Sequence, residues 1–160
     1  MHNLTKFSVW SQWSLREQLT GIEFPGIYCI AISKDNFSGH DFDWSENINY
    51  IGMTNSTSGL KGRLKQFDNT LKGKTGHGGA DRFRYDYPNY DQLVSKLFVS
   101  VKYFICDVRT NLPSDLLVMG DVAKHEFECF AKFVEIHNRL PRYNDKQNTK
   151  KFSLTFGRQL

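Results

Sequence analysis

Two tyrosines and one arginine stand in a pattern that suits chemistry on a phosphate ester. Tyr28 closes the tripeptide 26–28 (Gly-Ile-Tyr), Tyr50 opens the tripeptide 50–52 (Tyr-Ile-Gly), and Arg63 follows in a basic segment. A guanidinium can form paired hydrogen bonds with the non-bridging oxygens of a phosphate. A free phenol titrates near ~10, so a tyrosine is a base at neutral pH only where positive charge lies close to it. The alternative for each tyrosine is ordinary packing, with its hydroxyl satisfied by a neighbour.

The arginine segment predicts an amphipathic helix over about residues 60–71. Its apolar stripe is narrow and consists of Leu60, Leu64, Phe67 and Leu71. Arg63 lies on one edge of this stripe, which places its head group beside a cleft next to the sheet. The opposite flank carries Lys61, Lys65 and Lys72. The alternative for Arg63 is a side chain that only covers the core with its aliphatic part.

A second predicted helix, over about 121–139, carries three glutamates, of which one differs from the others. Glu126 falls within a broad apolar face made by Ala123, Phe127, Cys129, Phe130, Phe133 and Val134. Glu128 and Glu135 fall on the other side, among lysines, as ordinary solvent-facing charges. A carboxylate on an apolar face needs a partner or a metal ion, because burying it alone is costly. We therefore expect Glu126, with Glu128 as the alternative, to be the functional carboxylate.

These residues, in this order, resemble the GIY-YIG nuclease family, including the nuclease domains of its excision-repair and small restriction enzymes. The resemblance rests on the two tripeptides, on segment 60–65 (Leu-Lys-Gly-Arg-Leu-Lys) and on the apolar residues that follow Glu126 by three and four positions. It implies a metal-dependent endonuclease that hydrolyses DNA phosphodiester bonds, of restriction, repair, phage or mobile-element type. Tyr50 would then activate water, Tyr28 would orient Tyr50 or the phosphate, and Arg63 would bind the phosphate.

The resemblance also implies a cofactor and a structural residue. Glu126 would hold one Mg²⁺ or Mn²⁺, and Asn144, after a proline in segment 141–144, would tie the end of the chain to the active site. One departure concerns Met53, which stands where the family often has a lysine. It leaves open an alternative, a nucleic-acid-binding domain of the same fold without catalytic activity. The interval between Glu126 and Asn144 is also longer than in the repair enzymes.

Positive charge is concentrated in two blocks of the chain. The net charge is +4, but residues 61–84 and 139–160 each carry a net +5, while the other two parts are each −3. Such blocks are typical of a phosphate-binding surface. We expect contacts with DNA, most simply a duplex, from Lys61, Lys65, Lys72, Lys74, His77, Arg82 and Arg84. The alternative is that both blocks are only solvated surface.

Composition favours one globular domain. The chain has 160 residues, of which 39% are hydrophobic and 14% aromatic. No apolar run reaches the ~18 residues that would span a membrane, and the N-terminus is too polar for a signal peptide. The three cysteines lie far apart, which argues against a disulfide framework or a zinc site. We expect a cytoplasmic protein without a nucleotide cofactor and leave its oligomeric state open.

The order of elements predicts an α+β fold with a small antiparallel sheet. Strands are expected at 27–32, around 49–53 and at 97–106, with helices at 14–20, 60–71 and 121–139. Residues 33–49 and 68–96 are expected to be insertions, and 145–160 a polar, basic tail. Within the second insertion we expect a loop over the glycine-rich segment 76–84 and a short helix after Pro88. The order β-β-α-β-α gives one sheet of about three strands flanked by helices, within a single domain over 1–160.

Overall fold

The computed structural model describes residues 6–157 and contains a four-stranded antiparallel sheet. Its strands are β1 (Ser11–Gln12), β2 (Gly26–Ile32), β3 (Ile48–Thr54) and β4 (Leu97–Tyr103). They lie side by side in the order β1-β4-β2-β3, so β3 forms one edge. The α+β class and the three predicted strands are confirmed. The sequence prediction missed β1 because two residues are too short to show an alternating pattern.

Five α-helices follow along the described residues. They are α1 (Gly59–Leu71), α2 (Gly78–Asp86), α3 (Tyr90–Val94), α4 (Pro113–His137) and α5 (Phe152–Phe156). Two short 3₁₀ helices cover Trp13–Gln18 and Arg142–Asn144. Within residues 6–157, no helix has the length and apolar character needed to cross a membrane.

Three expectations about the helices need correction, while the short helix expected at 14–20 is present as the 3₁₀ helix Trp13–Gln18. The glycine-rich segment after His77 is α2, not a loop. Helix α4 begins at Pro113, whose fixed φ suits the first turn, and passes through Gly120 without a break. The tail is not simply polar, because α5 packs on α2 through Phe152 and Phe156. The short helix after Pro88 is α3.

The sheet is covered on both faces, and β2 lies at its centre. One face of β2, with Tyr28 and Ile30, packs against α1 and α2. The other face, with Ile27, Cys29 and Ala31, packs against α4 through Val122, Cys129 and Phe133. Because both faces are buried, β2 is a continuous apolar run rather than an alternating one. The connection 33–47 adds Phe37, Phe42 and Trp44 to the α4 side.

Regular pairing sets the direction of Tyr50, and a bulge in β3 reverses the direction of Ile48. Ile30 pairs with Tyr50, but the next residue of β2, Ala31, pairs with Ile48, so Asn49 is the extra residue. As a result Ile48 packs on the α4 side, while Tyr50 packs with Tyr28 on the α1 side. Both tyrosines of the pattern therefore lie on the same face of the sheet, Tyr28 on the central strand β2 and Tyr50 on the edge strand β3.

Candidate active site

Tyr28 is completely buried and lies flat across its cross-strand neighbour, Gly52. The two residues are paired in the β2–β3 ladder, and a Cβ built on Gly52 would come within 2.4 Å of the Tyr28 hydroxyl. The glycine of the second tripeptide is therefore required for the tyrosine of the first. Burial raises the pKa of the Tyr28 phenol well above its ordinary value, so the hydroxyl keeps its proton.

His77 fixes the hydrogen-bond arrangement of this hydroxyl. It is the N-cap of α2, where its Nδ1 accepts a hydrogen bond from the Ala80 backbone N–H at 3.2 Å. Its Nε2 lies 2.7 Å from the Tyr28 hydroxyl. Burial and the charge of Arg63 lower the pKa of His77 to about 3, so the ring is neutral. Because Nδ1 is an acceptor, the single ring proton must be on Nε2, which donates to the Tyr28 oxygen.

Tyr50 is half-buried beside Tyr28 and His77, with ring centroids 6.0 Å and 5.5 Å away. A Cβ on Gly79 would come within 2.5 Å of its ring, so the first turn of α2 leaves space for Tyr50 only because it has a glycine there. Burial raises the pKa of the Tyr50 phenol, while the charge of Arg63 and a hydrogen bond from Tyr28 oppose this rise. At neutral pH the Tyr50 phenol is therefore protonated.

Arg63 projects from α1 beside both phenols. Its guanidinium donates to the side-chain oxygen of Gln66, whose amide donates to the Gly76 carbonyl at 2.9 Å. Arg63 lines a cavity of about 460 Å³ together with Met53 and hydroxyl-bearing residues at the start of α1. The Arg63 guanidinium is thus fixed by its hydrogen bond with Gln66, and open space lies beside it. Met53 faces this same space.

Glu126, not Glu128, lies close enough to these groups to interact with them through its charge. Burial raises the pKa of the Glu126 carboxyl above its ordinary value, and the charges of Arg63 and Lys146 oppose this rise. The charge of Glu126 in turn contributes to the raised pKa of both Tyr28 and Tyr50. Glu128 is exposed and lies 3.6 Å from the His125 ring. The prediction that favoured Glu126 over Glu128 agrees with this placement.

The site fits a divalent cation held by one carboxylate. Mg²⁺ commonly binds through one or two carboxylates, keeps several waters and is completed by substrate phosphate. Glu126 is half-buried and has neither a hydrogen bond nor an ion pair with another residue in 6–157. In the same range, no three His, Cys, Asp or Glu residues are grouped as a metal cluster. Any cation here would have Glu126 as its protein ligand.

Asn144 connects the chain after α4 to the edge strand. Its side-chain oxygen accepts from the Ile51 N–H, and its side-chain nitrogen donates to the Ile51 carbonyl, both at 2.9 Å. The amide thus satisfies both backbone groups that Ile51 presents at the edge of the sheet. This is the structural tie that the sequence predicts for Asn144, next to Tyr50.

Two of the predicted DNA contacts are inside the protein. His77 is only 1% exposed and binds Tyr28, and Arg84 is 7% exposed with its guanidinium 3.9 Å from the centroid of the Phe152 ring. Neither is placed to contact a DNA backbone, so the prediction is wrong for both. Each is buried because the segment after residue 76 is a packed helix with α5 on top rather than a loop.

The remaining predicted contacts are at the surface or beside the site. Lys61, Lys65 and Lys74 are exposed, whereas Lys72 forms an ion pair of 3.0 Å with Asp68. Arg82 is half-buried, donates to the Gly78 carbonyl at 3.2 Å and lowers the pKa of Tyr50 through its charge. Its Nε has no hydrogen-bond partner among the described residues. Arg82 therefore adds a second guanidinium close to Tyr50.

Three residues of the site were not predicted from the sequence. Gln66 holds Arg63 and is one helical turn after it, a spacing at which side chains meet. Gly79 makes room for Tyr50, and Lys146 is close enough to Glu126 to lower its pKa. Only Gln66 had a usable sequence signal, because the other two contacts depend on where α2 and the chain end pack.

No family model, curated protein or solved structure matches this chain significantly. The geometry of the site therefore carries the functional argument.

Proposed function

We propose that this protein is an endonuclease of the GIY-YIG type, which hydrolyses DNA phosphodiester bonds with Mg²⁺ or Mn²⁺ at the edge of β3. The observation that carries the proposal is the meeting of Tyr28, Tyr50, Arg63 and Glu126. They come from four separate elements, β2, β3, α1 and α4. The charge of Arg63 nevertheless affects the pKa of the other three residues, and the charge of Glu126 affects the pKa of both tyrosines. Ordinary packing gives no reason to bring two phenols, a guanidinium and an unpaired carboxylate together.

The guanidiniums bind the phosphate. Arg63 faces the cavity and is positioned by Gln66, so it is ready to form paired hydrogen bonds with phosphate oxygens. Arg82, whose charge acts on Tyr50, has a buried Nε–H without a partner among the described residues. As water adds to phosphorus and the bond to the leaving sugar oxygen breaks, negative charge grows on the phosphate oxygens. Fixed positive groups at this point stabilise that charge more in the transition state than in the substrate.

A directed chain of hydrogen bonds ends at the Tyr50 oxygen. The Ala80 N–H donates to His77, and His77 donates to Tyr28. The Tyr28 proton is then free to point to Tyr50, in agreement with the hydrogen bond that lowers the Tyr50 pKa. This chain stabilises negative charge on Tyr50, which lets Tyr50 lose its own proton to solvent and then take one from the attacking water, while the departing sugar oxygen takes a proton from solvent.

Glu126 is the residue that would bind the cation. A bound Mg²⁺ supplies positive charge for the phosphate and for water beside Tyr50. The carboxylate is half-buried within reach of the charges of Arg63 and Lys146 and has no hydrogen-bond partner among the described residues, so its oxygens are available to a cation. His77 is a positioning residue, because both of its ring nitrogens are already occupied.

Cleavage of supercoiled plasmid in Mg²⁺ and in Mn²⁺ tests the proposal. Glu126→Gln should abolish cleavage and leave DNA binding intact, while the matched variant Glu128→Gln should cut like the wild type. Arg63→Ala should abolish cleavage with some loss of binding, and Tyr50→Phe should slow it by ~10²-fold or more. A wild type inert in both metals on duplex, single-stranded and branched DNA would overturn the enzymatic assignment.

A second candidate is a binding domain of the same fold without turnover. It is favoured by Met53, a neutral side chain that lines the cavity beside Arg63. In that case Met53→Lys, which adds a positive charge at this place, should not create cleavage, and wild-type DNA affinity should be unaffected by Mg²⁺. Cleavage by the wild type excludes this candidate.

A further inference from the structure

Helix α4 has two apolar faces, and the sheet covers only one of them. Val122, Cys129 and Phe133 are buried against the sheet. Phe127, which the sequence prediction placed on the same face, is 71% exposed, and Leu116 is 48% exposed. At ~100° per residue these two lie on the opposite side of the helix from Val122. The single broad face predicted from the sequence is therefore two faces.

The exposed face has the spacing of a helix–helix seam. Its residues follow one another at alternating intervals of four and three positions: Leu116, Gly120, Ala123, Phe127, Phe130 and Val134, of which Phe130 also packs against the sheet-side core. This is the heptad pattern that packs one helix against another along its length. A helix with a similar pattern fits this surface, and α4 itself has one.

This exposed stripe of α4 contains both a projecting side chain and a gap that matches it. Phe127 stands out into solvent, and a Cβ added at Gly120 would meet no atom within 4 Å. The two positions are seven residues apart, which is about two helical turns. If two copies of α4 run antiparallel about a twofold axis near Ala123, each Phe127 lies over the other copy's Gly120. A symmetric dimer needs this self-complementarity.

We propose that two copies of this chain associate through α4, antiparallel, with each Phe127 packed over Gly120 of the other copy. The stripe from Leu116 to Val134 rises about 27 Å, and an apolar arc of about 14 Å gives roughly 380 Å² per copy. The total of about 760 Å² is below the ~1,000 Å² of a stable specific interface, so the dimer is a weak, reversible one rather than an obligate assembly. This inference does not depend on the proposed reaction.

Sedimentation velocity over a concentration series tests the association. The wild type should shift from monomer to dimer as its concentration rises to several hundred micromolar, and Phe127→Glu should stay monomeric with an unchanged circular dichroism spectrum. The matched control is Leu154→Glu on α5, where the leucine is 79% exposed but far from the stripe in sequence and on another helix. It should dimerise like the wild type. A wild type that is monomeric at several hundred micromolar overturns the proposal, as does a Phe127→Glu dimer.

Disulfide trapping tests the antiparallel register. In a Cys106→Ser background, Ala123→Cys lies next to the twofold axis and should form a covalent dimer with a mild oxidant. Ala131→Cys lies on the same helix, but its two copies would be about 22 Å apart along the axis, so it should stay monomeric. Equal trapping at both positions, or at neither, overturns the register.

Discussion

Tyr28→Phe removes one oxygen from the centre of the protein and leaves the aromatic ring in place. The His77 Nε2–H, which now donates to that oxygen at 2.7 Å, would lose its acceptor in a site that is 1% exposed. An unsatisfied buried donor costs about 1–3 kcal/mol. For a chain of 160 residues, each kcal/mol corresponds to about 2–4 °C in Tm. We therefore expect that removal of this single oxygen clearly lowers the stability of the protein.

A double-mutant cycle isolates this contact. His77→Asn keeps a side-chain acceptor for the N-cap of α2 but no longer reaches Tyr28. In that background Tyr28→Phe should cost less, because the His77 donor is no longer left unpaired and only the Tyr28 contacts with Arg63 and Tyr50 are lost. Urea unfolding of the four proteins measures the coupling free energy, and Tyr87→Phe, whose hydroxyl has no hydrogen bond with another described residue, is the control. The same cost in both backgrounds, or a cost no larger than that of Tyr87→Phe, would refute the assigned tautomer and contact.

Three further predictions concern packing, pH and DNA binding. Gly79→Ala should destabilise the protein by about 1–3 kcal/mol in urea and reduce cleavage, because its Cβ would lie within 2.5 Å of the Tyr50 ring. The folded pKa of His77 is about 3 and the unfolded value near 6.5, so between these values the unfolded state binds more protons and stability falls as pH falls. This loss is at most about 1.4 kcal/mol per pH unit and should be absent in His77→Asn, by urea unfolding at several pH values. Lys65→Glu should weaken duplex binding and reduce its salt dependence in fluorescence anisotropy.

Each of these three predictions has a matched control variant. Gly120→Ala, at a helical position where a Cβ meets nothing, should stabilise the monomer by about 0.5–1 kcal/mol, opposite in sign to Gly79→Ala. His125→Gln should leave the pH difference assigned to His77 in place. A charge reversal at Glu17, exposed and outside both basic blocks, should not change the salt dependence. If Gly79→Ala is as stable as the wild type, the close packing of α2 on Tyr50 is refuted.

Most of the secondary structure could be predicted because its signals are local. Strands β2, β3 and β4 and helix α1 have apolar patterns that can be read from neighbouring residues. The structure places these four elements within a few residues of the expected bounds. Helix α2 could not be predicted, because Gly78 and Gly79 are poor helix formers. His77 caps the helix at its start, and Gly79 is needed in its first turn because only a glycine fits against Tyr50. Packing outweighs propensity there.

The sequence by itself determined which chemical groups the site contains and the order in which the chain supplies them. Only the tertiary structure decided where each of these residues lies and which groups it contacts. Helical projection could favour Glu126, but the packing of α4 placed it near Arg63 and left Glu128 at the surface. Likewise, charge counting grouped His77 and Arg84 with the surface cations, whereas packing buried both. The physical reason is that residue type limits which interactions are possible, while burial depends on which distant segments meet, and no local pattern records that.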